Sequence, residues 1–366
     1  MRAATLPIQR PDDARLLVVD RCGRIEHRAR RALATFLQAD DCVIANDAAT
    51  LPASLHGIHD RTGETIEVRL AGRPSLAPDE VARFSAIMFG SGDFRTPTEA
   101  RAAPPGLLPD DRLTLGPLTA IVVRFLGHPR FVELRFDGSA AHIWHAFALH
   151  GKPVQYAHLD SPLALWDIWT PIAAQPVAFE PPSAGFGLDW RFVESLRARR
   201  IPFATLTHAA GLSSTGDAGL DRRLPFDEPY RIPAATAALI QATRARQGRV
   251  VAIGTTVVRA LEHAASVDGI VHAGDGVATQ RIGSDTRLRV VEVIVSGTHE
   301  PGSSHYELLR AFADDATLDR VTTALEGHHY RTHEFGDSVW IERRKDDTQH
   351  TKVSTPCYCG QYATCS

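Results

Sequence analysis

The segment Arg249-Val-Val-Ala-Ile-Gly-Thr-Thr-Val-Val-Arg-Ala-Leu-Glu262 decides the fold of this chain. Its apolar, β-branched residues 250–253 predict a buried strand, and Gly254 predicts a turn after it. Thr255 and Thr256 then stand where hydroxyl residues cap a helix or contact a ligand. The segment therefore predicts a strand, a tight turn and a helix, the repeating unit of an α/β sheet.

The same turn is a candidate binding site. Free backbone N–H groups and the helix dipole favour an anion at the start of a helix. Arg259 follows closely enough for its guanidinium to bind a carboxylate or phosphate. An ordinary βα turn carrying a surface arginine explains the segment equally well, so its function depends on the rest of the chain.

Composition excludes several classes of protein. The chain has 366 residues, of which 44% are hydrophobic and 23% charged, as in globular proteins with one or two domains. Its net charge of −3 argues against a global basic surface for nucleic acid. We find no apolar run long enough to span a bilayer and no signal-peptide core, so we expect no membrane contact.

The cysteines indicate a reducing compartment. Cys22 and Cys42 lie near the start of the sequence, and Cys357, Cys359 and Cys365 lie in the last ten residues. An odd number without framework spacing predicts free thiols and a cytoplasmic protein. We expect residues 345–366 to form a flexible tail, although the three cysteines there could also hold a metal ion.

Strand and helix signals alternate over much of the chain. This alternation predicts a mixed-sheet α/β main domain. The predicted strands are 16–20, 42–45, 202–207, 249–253, 288–295 and 339–342. The predicted helices are 29–38, 190–199, 233–247, 255–262 and 306–313.

A different pattern interrupts the α/β elements. Short strands are predicted at 65–70, 84–89, 120–125 and 131–136, with a helix at 140–149 after them. Because α/β pieces flank this segment on both sides, we expect a small inserted all-β, barrel-like domain. The predicted domains are therefore 1–55 with 150–344, an insertion at 56–149, and the tail at 345–366.

Several motifs together resemble the S-adenosylmethionine:tRNA ribosyltransferase-isomerase family of queuosine biosynthesis, as a diverged member. The run Gly254-Thr-Thr-Val-Val-Arg-Ala-Leu-Glu262 is close to the Gly-Thr-Thr-Ser-Val-Arg-Ser-Leu-Glu of that family. The segments 182–185, 298–304 and 330–337 resemble its Pro-Thr-Ala-Gly, Phe-His-Leu-Pro-Glu-Ser-Thr and closing Tyr-Arg segments. Their order and spacing agree from about residue 16 to residue 341.

Other positions depart from the family pattern. Residues 46–54 lack two arginines of the family segment, and Gly187 stands in place of a histidine. Of the family's Asp-His-x-Met-His-x-Glu segment, only Glu228 remains. These losses leave two alternatives open: a paralogue that modifies a small-molecule acceptor, and a catalytically silent binding protein with the same fold.

The resemblance implies a reaction and a co-substrate. The ribosyl portion of S-adenosylmethionine would move to the aminomethyl group of a 7-deazaguanine in tRNA. Adenine and methionine would leave, and the sugar would reclose as an epoxy-cyclopentanediol. The sulfonium is a good leaving group and acidifies the neighbouring C–H bonds, so the site needs a base and exclusion of water but no metal.

Together, the motifs suggest a set of site residues. For most of them a structural explanation also exists, such as an Asx turn at residues 46 and 47 or a solvated loop charge at 228. The candidate catalytic residues are Glu228, His208 and His299. The candidate donor- or substrate-binding residues are Asn46, Asp47, Ser183, Gly185, Gly254, Thr255, Thr256, Arg259, Glu300 and Asp337.

Two groups of arginines are candidates for tRNA contact. Binding through such charges weakens steeply with salt. A solvated surface explains these clusters at least as well, and neither contains aromatic residues for base stacking. The groups are Arg21, Arg24, Arg28, Arg30 and Arg31, and Arg197, Arg199 and Arg200.

Overall fold

The computed structural model describes residues 1–344, so the predicted tail and its cysteines lie outside the described residues. Within this part no helix has both the length and the apolar character that crossing a bilayer demands. The described strands are β1 Arg2–Ala3, β2 Arg15–Val19, β3 Ile25–Ala29, β4 Cys42–Asn46, β5 Ala48–Thr50, β6 Ser54–His59, β7 Thr65–Gly72, β8 Arg83–Phe89, β9 Arg112–Leu115, β10 Leu118–His128, β11 Phe131–Phe136, β12 Gln175–Ala178, β13 Phe203–His208, β14 Glu228–Ile232, β15 Val250–Ile253, β16 Gly274–Ala278, β17 Val293–Gly297, β18 Arg331–Thr332 and β19 Ser338–Glu342.

Helices connect these strands. The α-helices are α1 Ala140–His150, α2 Leu165–Ile168, α3 Trp190–Ala198, α4 Ala218–Asp221, α5 Ala234–Ala245, α6 Thr255–Ala264, α7 Ser304–Leu309 and α8 Asp315–Gly327. Three short 3₁₀ helices cover Arg30–Phe36, Thr98–Ala100 and Ser183–Gly187.

A nine-stranded mixed sheet forms the centre of the α/β part, with the order β16-β14-β13-β4-β15-β17-β19-β2-β3. The central strands β13, β4, β15 and β17 are parallel to one another, whereas β17 and β19 pair antiparallel. Side chains alternate between the two faces, as the pleat requires. Val250 and Ala252 face the core beneath α5 and α6, and Val251 and Ile253 face the core beneath α3.

The all-β segment closes into a six-stranded barrel with the order β10-β11-β8-β7-β6-β9. Helix α1 packs against it through Ile143 and Phe147, and the Phe147 ring meets that of Phe136 edge-on at 5.4 Å. Residues from the α/β part complete the same apolar core. They are Phe179, Leu212 and Leu220.

The predicted fold class is therefore confirmed, with both a mixed α/β sheet and a barrel. The boundaries of the predicted domains stay a prediction. Some elements differ from the sequence prediction. Residues 30–36 form a 3₁₀ helix instead of an α-helix, and the predicted helix 306–313 is α7, which begins at Ser304 and ends at Leu309.

The strand predicted at 288–295 was placed too early. The Glu262 carboxylate accepts hydrogen bonds from the backbone N–H groups of Arg289, Val290 and Val291, at 2.7 to 3.0 Å. These N–H groups therefore do not pair with a neighbouring strand, and β17 begins only at Val293.

Candidate functional site

A cavity lies at the carboxyl ends of the parallel strands β13, β15 and β17, where open α/β sheets bind their ligands. Its walls come from seven separate segments of the chain. The lining residues are Glu180, Pro181, Pro182, Ser183, Ala184, Ala210, Gly211, Leu212, Ser213, Pro225, Glu228, Gly254, Thr255, Thr256, Arg259, Ile282, Ser296, Gly297, His299, Ser304, His305 and Leu308.

The strand–turn–helix predicted from sequence forms one wall. Gly254 has φ +98°, a backbone conformation that residues with a Cβ rarely adopt, and it caps the N-terminus of α6. Thr255 and Thr256 are the first residues of α6, and both line the cavity. This corner therefore offers free backbone N–H groups and two hydroxyls to an anionic ligand.

Arg259 lines the cavity, and its guanidinium is bonded to other parts of the protein. Its guanidinium donates to the Glu228 carboxylate and to the carbonyl oxygens of Phe226 and Ala278, at 3.1 and 2.9 Å for the two carbonyls. Arg259 is 4% exposed, and burial lowers its pKa to about 10. The side chain thus ties α6 to β14 and β16, so its charge is already paired within the protein.

The two other predicted catalytic residues, His208 and His299, are both kept neutral by burial. His208 lies 3.4 Å from Glu228 through its Nε2 atom, and neither ring nitrogen has a hydrogen-bond partner within residues 1–344. Burial and the nearby Arg259 charge lower the pKa of His208 well below its usual value. His299 lines the cavity, and burial together with His305 lowers its pKa in the same way.

The asparagine and aspartate at the end of β4 lie outside the cavity lining. Asn46 is buried; its Oδ1 accepts from the N–H of His208 at 3.0 Å, and its Nδ2 donates to the Thr256 hydroxyl at 3.2 Å. Asp47 accepts from the hydroxyls of Thr205 and Thr207, at 2.7 and 2.6 Å. Both residues therefore join β4 to neighbouring segments, and contact between their side chains and a ligand stays a prediction.

Three further predicted binding residues are not among the residues that line the cavity. Asp337 is 1% exposed and accepts from the backbone N–H groups of Arg15 and Arg331, each at 2.8 Å. Glu300 is exposed to solvent, and Gly185 packs against Thr170 in its 3₁₀ helix. Of the predicted binding residues, the cavity brings together Ser183, Gly254, Thr255, Thr256 and Arg259.

Glu180 is a second acidic group in the cavity lining, and it was not predicted from the sequence. Glu180 is 7% exposed, and its Oε1 accepts from the Tyr156 hydroxyl and from the N–H of Ser213, the latter at 3.0 Å. Burial raises the pKa of Glu180 to about 7. Glu180 stands between Phe179 and Pro181 and belongs to no recognisable motif. Its place in the cavity therefore becomes visible only in the folded structure.

One group of side chains in the described part of the chain has suitable atoms for a metal ion. The ligand atoms of His158, His333 and Glu334 lie within 4.8 Å of one another. His158 already contacts Glu334 at 3.1 Å, and the rings of His158 and His333 stack at 4.1 Å. These contacts explain the cluster without an ion.

Several of the arginines considered for tRNA contact are engaged elsewhere. Arg30 donates to the carbonyl oxygen of Gln9 at 2.7 Å, and Arg199 donates to that of Leu37 at 2.6 Å. Arg24 pairs with Asp20 at 2.7 Å. These partners weaken both predicted arginine groups as phosphate-binding surfaces.

The sequence matches known proteins over most of its length. The sequence profile of a family described as queuosine biosynthesis protein matches residues 1–341. The S-adenosylmethionine:tRNA ribosyltransferase-isomerase of Sorangium cellulosum is 33% identical over 360 residues, which cover 92% of this chain and 94% of that protein. The enzymes of the same name from Moorella thermoacetica and Thiobacillus denitrificans are 29% and 30% identical, and each match covers 92% of this chain and 95% or 92% of the relative.

The solved structure of the S-adenosylmethionine tRNA ribosyltransferase of Thermotoga maritima is similar with a TM-score of 0.49 at 22% identity, over 92% of this chain and 95% of that one. The sequence matches are the stronger result, because the family profile extends over the barrel as well as the mixed sheet. On these matches, the chain belongs to the queuosine biosynthesis protein family.

Proposed function

We propose that this protein transfers the ribosyl portion of S-adenosylmethionine to the aminomethyl group of a 7-deazaguanine in tRNA and isomerises it. The observation that carries the proposal is the position of the cavity, at the N-terminus of α6 in a chain of this family. Relatives that match over most of their length are named for this activity, which supports the same reaction here.

The cavity provides groups suited to the donor. In the proposed complex the methionine carboxylate of S-adenosylmethionine accepts from the free N–H groups and hydroxyls of Thr255 and Thr256. Ser183 and Gly254 line the same corner and would contact the donor. The positively charged sulfonium would then lie in the same cavity, whose wall includes the Glu228 carboxylate.

The candidate catalytic residues are proposed to act from the cavity wall. Glu228 accepts from Arg259 and from the N–H of Gly211, the latter at 2.5 Å, so it fixes the shape of the wall. His299, kept neutral by burial, accepts or donates a proton near the substrate; its Nε2 lies 3.1 Å from the Ser296 hydroxyl. His208 does not line the cavity, so its proposed role is to position Glu228, which it contacts.

A groove lined by arginines is the candidate surface for tRNA as the acceptor. It lies at the opposite, amino ends of β15 and β17, and Ile282 lines both the groove and the cavity. Eight arginines and five carboxylates line it. Arg21, Arg249, Arg310, Arg343 and Arg344 pair with carboxylates, so the lining has a surplus of three arginines. This surplus suits a polyanionic backbone, and tRNA as partner would place the protein in the cytoplasm. The arginines are Arg21, Arg244, Arg249, Arg287, Arg289, Arg310, Arg343 and Arg344.

The decisive experiment measures both substrates with the full-length protein. Calorimetric titration with S-adenosylmethionine should show binding of the donor. Adding tRNA that carries the 7-aminomethyl-7-deazaguanine precursor should then release adenine and methionine, and mass spectrometry should detect the new group on the tRNA.

The two alternatives predict different results. Adenine release only with a free small amine would identify a paralogue that modifies a small molecule. This alternative is considered because the chain lacks arginines and a histidine of the family pattern. Donor binding without adenine release, across both acceptors, would identify a silent binding protein. If S-adenosylmethionine does not bind at millimolar concentration, every donor-dependent function is excluded.

A further inference from the structure

The two carboxylates that line the cavity are neutralised in different ways. Glu228 has the guanidinium of Arg259 as its partner. Glu180 is equally buried, yet within residues 1–344 it pairs with no lysine, arginine or histidine; its Oε1 accepts only from Tyr156 and Ser213. A buried carboxylate without a cation is unfavourable, so it either stays protonated or receives its cation from a ligand.

Neighbouring charges strengthen this conclusion. Burial and the negative charge of Glu334 raise the pKa of Glu180 to about 7, against the hydrogen bonds from Tyr156 and Ser213, which lower it. A group with this pKa changes charge under ordinary assay conditions. The other titratable groups that face Glu180 or the same cavity are Tyr156, Glu228, Arg259, His299, His305 and Glu334.

The orientation of the carboxyl group leaves one oxygen for a ligand. Both hydrogen bonds to Glu180 end on Oε1, and the Tyr156 hydroxyl that makes one of them is itself held by the N–H of Ser214 at 3.3 Å. Tyr156 thus positions the carboxyl group through Oε1. Oε2 accepts neither of these bonds and belongs to a side chain that lines the cavity.

Resting on the proposed function, we propose that Glu180 binds the cationic aminomethyl group of the acceptor base and takes its proton. One N–H bond of the ammonium group breaks and one O–H bond forms on Oε2. The electron pair of the broken bond stays on nitrogen, which can then attack the ribosyl carbon. The donor also carries an amino group, but only the acceptor amine must lose a proton before it reacts.

The test compares wild-type protein with Glu180→Gln, which keeps the shape of the side chain and an oxygen for Tyr156 and Ser213. Glu194→Gln is the matched control, because Glu194 is exposed on α3. We expect Glu180→Gln to bind S-adenosylmethionine within about twofold of wild type, since the donor carboxylate binds elsewhere. Its kcat/KM for precursor tRNA should fall at least about tenfold, because a charge-assisted contact and a base are lost.

The pH profile separates proton transfer from simple packing. Wild-type adenine release should rise with pH through a midpoint near the Glu180 pKa of about 7, and Glu180→Gln should lose this rise. In Tyr156→Phe the midpoint should move to higher pH, because a hydrogen bond to the ionised carboxyl is removed.

Each other outcome contradicts the proposal. Weaker S-adenosylmethionine binding by Glu180→Gln would assign Glu180 to the donor, and unchanged kcat/KM or an unchanged profile would remove it from the reaction. Wild-type protein is assayed first: if it releases no adenine with precursor tRNA, the proposed function itself fails. If wild type is active and the variant matches it, only the role of Glu180 is wrong.

Discussion

The guanidinium of Arg259 donates a hydrogen bond to the Glu228 carboxylate inside the wall of the cavity, and both side chains are buried. This ion pair joins α6, which carries Arg259, to β14, which begins with Glu228. One ionic contact therefore connects two elements that form the wall of the cavity. Three carbonyl oxygens, those of Phe226, Ala278 and Gln280, accept from the Nη2 group of the same guanidinium, whereas Nε has no hydrogen-bond partner within residues 1–344.

Removing Arg259 should therefore reduce stability more than ligand contact. Arg259→Ala leaves the Glu228 carboxylate buried without its cation, and we expect a loss of about 3–5 kcal/mol in the free energy of unfolding. Urea unfolding measures this loss. Adding Glu228→Gln to the variant should recover part of it, because the unpaired charge is removed, and additive losses in the double variant would contradict the coupling.

Glu180 predicts a specific dependence of stability on pH. Its pKa is raised from 4.5 to about 7 in the folded protein, so the folded state binds more protons than the unfolded state between these values. The contribution of Glu180 to the free energy of unfolding is therefore complete below its unfolded pKa. This contribution is lost as the pH rises to about 7, by about 3 kcal/mol at most.

Urea unfolding of wild type and Glu180→Gln at pH 5 and pH 8.5 tests this sign. Relative to wild type, the variant should gain about 1–3 kcal/mol between the two pH values, because it cannot ionise. The other titrating groups are common to both proteins. A variant whose difference from wild type is the same at both pH values would disprove the raised pKa.

Thr255→Val tests the anion site at the start of α6. Valine keeps the shape of the side chain but removes the hydroxyl that faces the cavity. We expect the Kd for S-adenosylmethionine to rise roughly 5- to 20-fold, as for the loss of one hydrogen bond to a charged group, with an unchanged urea midpoint. Thr323→Val, exposed on α8, is the control and should leave the Kd at its wild-type value.

Asp337 should matter for folding and not for the donor. Asp337→Ala removes the acceptor of two backbone N–H groups and the partner of Arg15 and Arg331, so unfolding should become easier by about 2–4 kcal/mol. The Kd for S-adenosylmethionine of the folded variant should stay unchanged. Asp319→Ala, at an exposed position of α8, controls for the loss of a charge; a weaker donor affinity in Asp337→Ala alone would return Asp337 to the site.

Arg289→Gln tests the arginine groove. The residue is exposed, and its guanidinium makes only a 3.4 Å contact with the carbonyl oxygen of Ala265. If Arg289 contacts a phosphate, tRNA affinity should fall and the salt dependence of log K should become less steep by about 0.9. Filter binding at several salt concentrations measures both. Arg191→Gln, exposed on α3 outside the groove and outside both predicted arginine groups, should change neither quantity.

The elements with strong local signals could be predicted from the sequence. Residues 250–253 are all buried in β15, as predicted, and the predicted helix 190–199 is α3, which Asp189 caps by accepting from the N–H of Phe192. The short strands β14 and β16 were not predicted from the sequence. Pro229 in β14 and the run Gly274-Asp-Gly276 in β16 have low strand propensity. Long-range pairing in the sheet makes them strands.

The candidate site was predicted less completely than the fold. The turn at Gly254 and the two threonines carry a local pattern, and they line the cavity. Glu180 and Tyr156 come together only because the barrel and the sheet fold against each other, and no spacing in the sequence encodes that contact. Conversely, Asp337 carries a family motif, yet its carboxylate accepts hydrogen bonds from Arg15 and Arg331 and is not part of the cavity lining.

The core of the barrel has a consequence for protein engineering. Because Phe179, Leu212 and Leu220 complete that core from outside the barrel strands, the barrel is not an exchangeable module. A chimera that received the barrel of a relative would set foreign side chains against these three residues. Such a graft should succeed only when the segments that carry them are transplanted with it, and two of these segments also form the wall that contains Glu180 and Ser213.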